Sequence, residues 1–269
     1  MSLLEKINLL NIGLASYNFK QNVASDIPSE ALFIPPQNLA SQKHLDNIAN
    51  WTEMNKMELN VNKTKVMCFN FTNNFQFSTR LKMSDSTLEI IDQAKLLGVI
   101  ITKDLSWDAN TQSLVRRANA RMRMLHKLLG YGVPVKDLLN IYVLYIRSVL
   151  EQSCTVWHSS LTSENSSDLE RIQKNALKII LGENYLTYEQ ALASTGLESL
   201  HERRDSLCLR FARNCLKTSS VSDMFPPNVV SPSAMNTRGR EHFQVTKAKT
   251  ERLKKSAIPH MQRLLNENC

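Results

Sequence analysis

Between Ser113 and Gly130 the apolar and charged positions separate onto opposite sides of a helix. At about 100° per residue, Leu114, Val115, Ala118, Met122, Leu125 and Leu129 share one face, and Arg116, Arg117, Arg121, Arg123 and Lys127 share the other. The pattern predicts a helix packed on one side and basic on the other. The stretch holds no Asp or Glu, so nothing within it neutralises the cations across a turn. That face must be solvated or meet an anion from outside. Most charged helix faces only keep a protein in solution, but a row of Lys and Arg also suits a phosphate backbone through counterion release.

Upstream, Leu39, Leu45, Ile48, Ala49 and Trp51 fit an amphipathic helix from Asn38 to Met57. Short β-prone runs follow at Val66–Thr72, Phe75–Leu81, Thr87–Ile91 and Leu96–Thr102, separated by Asn73-Asn74 and other polar turns. They predict a small antiparallel sheet with the preceding helix on one face. Downstream the pattern is helical. Pro134 opens a helix running to His158, with Leu138, Ile141, Tyr142, Tyr145 and Val149 on its buried side. A second helix spans Ser167–Leu181, with Ser167 and Glu170 as a capping box, Leu169, Ile172, Ala176, Ile179 and Ile180 as the stripe, and Gly182 as the stop. Leu200–Leu216 carries Arg203, Arg204, Arg210 and Arg213. Ser219–Arg240 reads as a proline-containing tether. Val245–Leu265 begins with Lys247, Lys249, Arg252, Lys254 and Lys255 and then becomes apolar enough to dock at Ile258, Met261, Leu264 and Leu265.

The pattern therefore predicts an α+β fold: a small sheet with a packed helix, then a helical bundle. The expected divisions are 1–37, an incomplete opening segment and loop whose prolines block a continuous helix; 38–108, the sheet region; 109–217, the helical domain; and 218–269, a linker and basic tail. Composition narrows the classes. The 269 residues are enough for one large or two small domains, and the net charge of +8 leans toward a polyanionic partner. No apolar run reaches the roughly 20 residues of a membrane span, and the opening lacks a secretory leader, so a cytoplasmic or nuclear location is expected. Five widely spread cysteines argue against a disulfide framework and for packed, reduced thiols.

Three ordered stretches add a resemblance: LNVNKTKVMCF (59–69), KLLGVIITKDLSWD (95–108), and IYVLYIRSVLEQSCTVWHSSLT (141–162) followed by LERIQKNALKIIL (169–181). Together with the Arg203–Arg204 pair, they make the chain from about Asn38 onward resemble the C-terminal part of a non-LTR, LINE-type retrotransposon reverse transcriptase. The resemblance implies the end of a palm, a primer-grip-like region and a thumb. It sets Lys63 near an incoming nucleotide, with Lys65 close by, and Leu97 and Gly98 in a turn that helps hold a primer end. It sets Arg116, Arg117, Arg121, Arg123 and Lys127 along the phosphates of a template–primer duplex. The implied partners are RNA or an RNA–DNA duplex and, in trans, the missing polymerase portion, with no membrane.

Nucleotidyl transfer needs two divalent metals on clustered carboxylates, which this family carries partly on a (Y/F)xDD turn. The chain has no Asp-Asp pair, and Asp26, Asp85, Asp104 and Asp108 are expected to lie scattered in loops. The opening MSLLEKINLL resembles the segment just after that pair. The expectation is a non-catalytic fragment of an RNA-directed DNA polymerase that keeps its nucleic-acid surface and holds no cofactor of its own, the two Mg ions belonging to the full-length parent. The alternative is a helical protein-interaction module or a retroelement relic without selected function. Cys154 with His158, and Cys208 with Cys215, recur at helical spacing but lack a zinc motif, and Trp51, Trp107 and Trp157 are expected in packing roles.

Overall fold

The computed structural model describes residues 38–56, 60–61, 64–69, 80–83, 86–218, 221–226 and 243–268. The fold is mixed α+β and mostly helical. The chain divides into two compact units, Met1–Ser106 and Trp107–Cys269.

In the first unit, helix α1 spans Asn38–Met54. Its Gln42 amide pins a strand edge, donating to the Lys82 carbonyl at 2.7 Å and accepting from the Lys82 N–H at 2.9 Å. The strands are short and pair only in twos. β1 (Lys65–Val66) lies parallel to β4 (Glu89–Ile90), β2 (Lys82–Met83) is antiparallel to β3 (Ser86–Thr87), and β5 (Gln93–Leu96) is antiparallel to β6 (Val99–Thr102). The single antiparallel sheet expected from the sequence is thus replaced by separate two-stranded ladders, one of them parallel. Most of the expected strand Phe75–Leu81 lies outside the described residues. The run expected as one strand over Leu96–Thr102 instead turns at Leu97 and Gly98. Both have positive φ, +52° and +90°, the signature of a tight hairpin turn that only glycine adopts without strain. Leu81, Met83, Leu88, Val99 and Ile101 form the small core.

The second unit is built on helix α2 (Asp108–Gly130), whose Leu114, Ala118, Met122 and Leu125 are buried. Val115 is half-buried and Leu129 is exposed, so the apolar face is narrower than the sequence pattern suggested. Asp108 is the first residue of this helix, not a loop residue, and its carboxylate accepts from the Asn165 amide at 2.6 Å. An acid in the first turn also complements the helix dipole.

The helix expected from Val135 to His158 is broken. It runs as α3 (Val135–Ile141), a π-helical turn (Tyr142–Arg147), α4 (Ser148–Leu150), a turn, α5 (Cys154–Trp157) and a 3-10 turn at His158–Ser160. Ser153, with φ +53°, leaves the right-handed region and redirects the chain. The π turn also changes which side chains face inward. Tyr142 and Ile146 are fully buried, whereas Tyr145, expected in the stripe, is exposed.

Helix α6 spans Ser163–Leu181 and is capped by Thr162, whose side chain accepts from the Asn165 N–H at 3.1 Å. The expected cap at Ser167 lies inside the helix, and Glu170 instead accepts from the Leu200 N–H at 3.0 Å and from the Tyr188 hydroxyl. Leu169, Ile172, Ala176, Leu177 and Ile180 pack inward, each fully buried leucine or isoleucine being worth about 1.5–3 kcal/mol. Gln173 lies among them, linking the Tyr142 hydroxyl (2.6 Å) to the Tyr188 hydroxyl and the Glu198 carbonyl (2.8 Å each), which removes the cost of burying its amide. A short helix, α7 (Tyr188–Thr195), leads to α8 (Leu200–Leu216), which opens on a complete capping box between Ser199 and Glu202. Near the C-terminus α9 (Glu251–Lys254) precedes α10 (Ala257–Glu267), which buries Ile258, Met261 and Leu265. No helix among the described residues is long and apolar enough to cross a membrane.

Candidate nucleic-acid interface

The five cations of α2 do not project alike. Arg116, Arg123 and Lys127 are exposed, and at about 100° per residue they fall within some 40° of one another, opposite the buried Leu114, Ala118 and Leu125. Along the axis Arg116 and Arg123 are about 10.5 Å apart, and Arg123 and Lys127 about 6 Å. None of the ion pairs among the described residues involves these three side chains.

Arg117 and Arg121 lie on the flank and are half-buried. Arg117 donates to the Gln152 side-chain oxygen at 2.5 Å. Arg121 donates to the Tyr145 carbonyl and stacks its guanidinium 4.2 Å from the centroid of the Tyr145 ring. Both therefore also tie α2 to the segment that follows α3. Nearby, Glu151 accepts the Nε–H of Arg203 at 3.2 Å and forms an ion pair with Arg147, whose Nε lies 3.1 Å away, so this carboxylate is already neutralised.

In the first unit, Lys63 lies outside the described residues. Lys65 pairs with Glu89, its register partner on the parallel strand, which partly cancels its charge. Leu97 and Gly98 form the β5–β6 turn, with Leu97 exposed.

A polar cluster not anticipated from the sequence lies deeper in the second unit. Arg204, read as one of several basic positions on α8, is fully buried, because 200, 204, 208, 212 and 215 form that helix's inward stripe. Its Nε–H donates to His158 Nδ1 at 3.0 Å, so the His158 proton sits on Nε2, which faces Asp205 Oδ1 at 3.1 Å. His260, from α10, reaches the same oxygen at 2.8 Å, and His201 approaches Asp205 Oδ2 at 3.4 Å. Burial disfavours the Asp205 carboxylate, but the hydrogen bonds from His158 and His260 outweigh it and hold its pKa well below the usual range. Burial lowers the His158 pKa, only partly offset by Asp205. One helical turn away along each strand of this contact are the buried Cys154 and Cys208; the Cys208 thiol, with Arg204 adding to it, lowers the Cys154 pKa. The i to i+4 spacing from Leu200 to Arg204 to Cys208 was the available signal for this burial.

Donor atoms of His158, His201 and Asp205 lie within 4.8 Å of one another, close enough to suit a small metal ion. A metal on His158 Nε2, however, requires its remaining proton on Nδ1, the atom that Arg204 already donates to. The donor set therefore fits a hydrogen-bonded clamp between α8, α10 and the 3-10 turn that follows α5 better than a metal centre. An open cleft of about 520 Å³ between Ser167, Lys174, Tyr188 and His201 is likewise engaged internally, with Arg171 on Asp168 at 2.8 Å and Lys174 over the Tyr188 ring at 4.9 Å.

Compared with protein-family models, curated proteins and solved structures, the chain matches none.

Proposed function

We propose that the chain is a nucleic-acid-binding module that grips the phosphate backbone of an RNA–DNA duplex through α2 and performs no nucleotidyl transfer by itself. The observation that supports this most is the outward row Arg116, Arg123 and Lys127 on a helix whose basic half contains no acid. Such a row replaces condensed counterions without reading bases, as a thumb holding a template–primer must. The resemblance of the 59–69, 95–108, 141–162 and 169–181 stretches to LINE-type reverse transcriptases points the same way, and the absence of an Asp-Asp pair from the sequence supports the non-catalytic half of the reading. A second reading, a helical protein-interaction module, draws on the exposed Leu129, Tyr131 and Val135 at the α2–α3 corner.

The two readings separate in one experiment. Purified chain is titrated into a labelled RNA–DNA duplex, with nucleotide incorporation followed in the same sample. Salt-sensitive binding without incorporation, abolished when Arg116, Arg123 and Lys127 become Glu, supports the proposal. Absence of binding at low salt overturns it, and incorporation overturns its non-catalytic half.

A further inference from the structure

The π-helical turn leaves Leu144 at 76% and Tyr145 at 44% exposure, although its other large residues, Tyr142 and Ile146, are fully buried. A π turn is a poorer hydrogen-bonding arrangement than the α-helix it interrupts, and here it presents an aromatic and an aliphatic side chain to solvent. The Arg121 guanidinium lies over one face of the Tyr145 ring, 4.2 Å from its centroid, which fixes the ring and leaves only the opposite face for a stacking partner. Arg121 also holds the backbone of the same residue through the Tyr145 carbonyl. This acceptor is a neutral carbonyl, so the cation over the ring keeps its charge.

We propose that Tyr145, with Leu144 and Arg121, is a stacking platform for one unpaired nucleobase of a strand whose phosphates run along α2. The inference rests on the phosphate-binding reading of α2 and adds a preference to it: a duplex carrying a single-stranded overhang over a blunt one. The charge around the ring selects an anionic partner, and an aromatic face with an adjoining cation suits a base of any sequence. Bases inside a duplex are already paired and stacked on both faces, so an unpaired base reaches the ring without breaking pairs. Arg121 lies on the same helix as the outward row, about a third of a turn or more around the axis from it.

The test uses the full chain and three RNA–DNA duplexes: blunt, with a three-nucleotide overhang, and with the same overhang made abasic. The overhang is expected to raise affinity about 5- to 150-fold over both the blunt and the abasic forms. Tyr145→Ala is expected to remove that gain and leave the salt dependence of blunt-duplex binding unchanged, whereas Tyr145→Phe keeps the gain. Circular dichroism of each variant checks that the fold persists, and 2-aminopurine placed in the overhang reads stacking directly, with its fluorescence quenched by the wild type and by Tyr145→Phe. Salt-sensitive binding that is equal for all three duplexes and indifferent to Tyr145→Ala overturns the platform and leaves the α2 reading standing. No salt-sensitive binding to any duplex overturns both.

Discussion

Replacing Asp205 with Ala tests whether the buried clamp holds the C-terminal helix to the rest of the second unit. The Asp205 side chain is 26% exposed and His158 only 3%, so removal of the carboxylate leaves the His158 Nε2–H without its acceptor in a dry environment. It also releases His260, which tethers α10 from 2.8 Å. A hydrogen bond to a charged group is worth about 1.5–3 kcal/mol, and an orphaned buried donor costs about 1–3 kcal/mol, so with partial relaxation the loss is about 2–4 kcal/mol. In a unit of this size that is a fall of about 5–15 °C in Tm. Asp205→Asn keeps an acceptor without the charge, so about half the loss is expected. Thermal and urea unfolding of the full chain, followed by far-UV circular dichroism, measures both variants, and hydrogen exchange over 257–267 reports where protection is lost. A change below about 0.5 kcal/mol for Asp205→Ala, the level of an ordinary surface substitution, would refute the clamp.

Acid should weaken the same unit in two windows. Burial depresses the His158 pKa, so the unfolded chain binds the extra proton below about pH 6.5; stability is full above that value and falls on acidification, by up to about 2 kcal/mol at pH 5. The difference between wild type and His158→Gln isolates this contribution in urea unfolding at pH 7.5 and 5, and equal acid sensitivity of the two would refute it. Asp205, also depressed, adds a further loss only below about pH 4. Leu125→Ala, at a fully buried position of α2, is expected to cost about 2–5 kcal/mol in the same assay, where a loss under 1 kcal/mol would deny that this face is packed. Tyr142→Phe removes the 2.6 Å bond to Gln173 and should cost about 1–3 kcal/mol, checked by its unfolding midpoint.

The amphipathic pattern of 113–130 carried most of what could be read in advance, because a long helix repeats its signal over many turns. Leu114, Ala118, Met122 and Leu125 face inward where the periodicity puts them. The short strands were harder, since two to four residues hold too little alternation to specify partner or direction, and the parallel Lys65–Val66 with Glu89–Ile90 pairing has no local signal at all. Tyr145 was misplaced because a single extra residue in the π turn shifts the face without altering composition. Glu170 looked like a cap because its spacing from Ser167 imitates one; its tertiary partners, Leu200 and Tyr188, come from 18 or more residues away. Arg204 follows the same logic in reverse. Its position on the stripe of α8 was legible, but a buried guanidinium is improbable until His158 supplies an acceptor from another element.

The division of the basic face is what separates specific phosphate contact from general positive charge. Arg117 and Arg121 keep their charge against neutral acceptors but are half-buried and tied to Gln152 and Tyr145, so on the proposed reading the exposed Arg116, Arg123 and Lys127 are the cations of α2 that reach phosphates. Three phosphate contacts predict a slope of about −2.7 for log K against log salt, or about a 40-fold loss of affinity between 50 and 200 mM salt.

The most direct test of the account is therefore that slope, measured by fluorescence anisotropy with the full chain and an RNA–DNA duplex, for wild type and for Arg116→Gln, Arg123→Gln and Lys127→Gln singly and together. The account predicts that each substitution flattens the slope by about 0.9 and that the triple variant loses nearly all the salt dependence. A slope unchanged in the triple variant, or no measurable binding by the wild type at 50 mM salt, would contradict it.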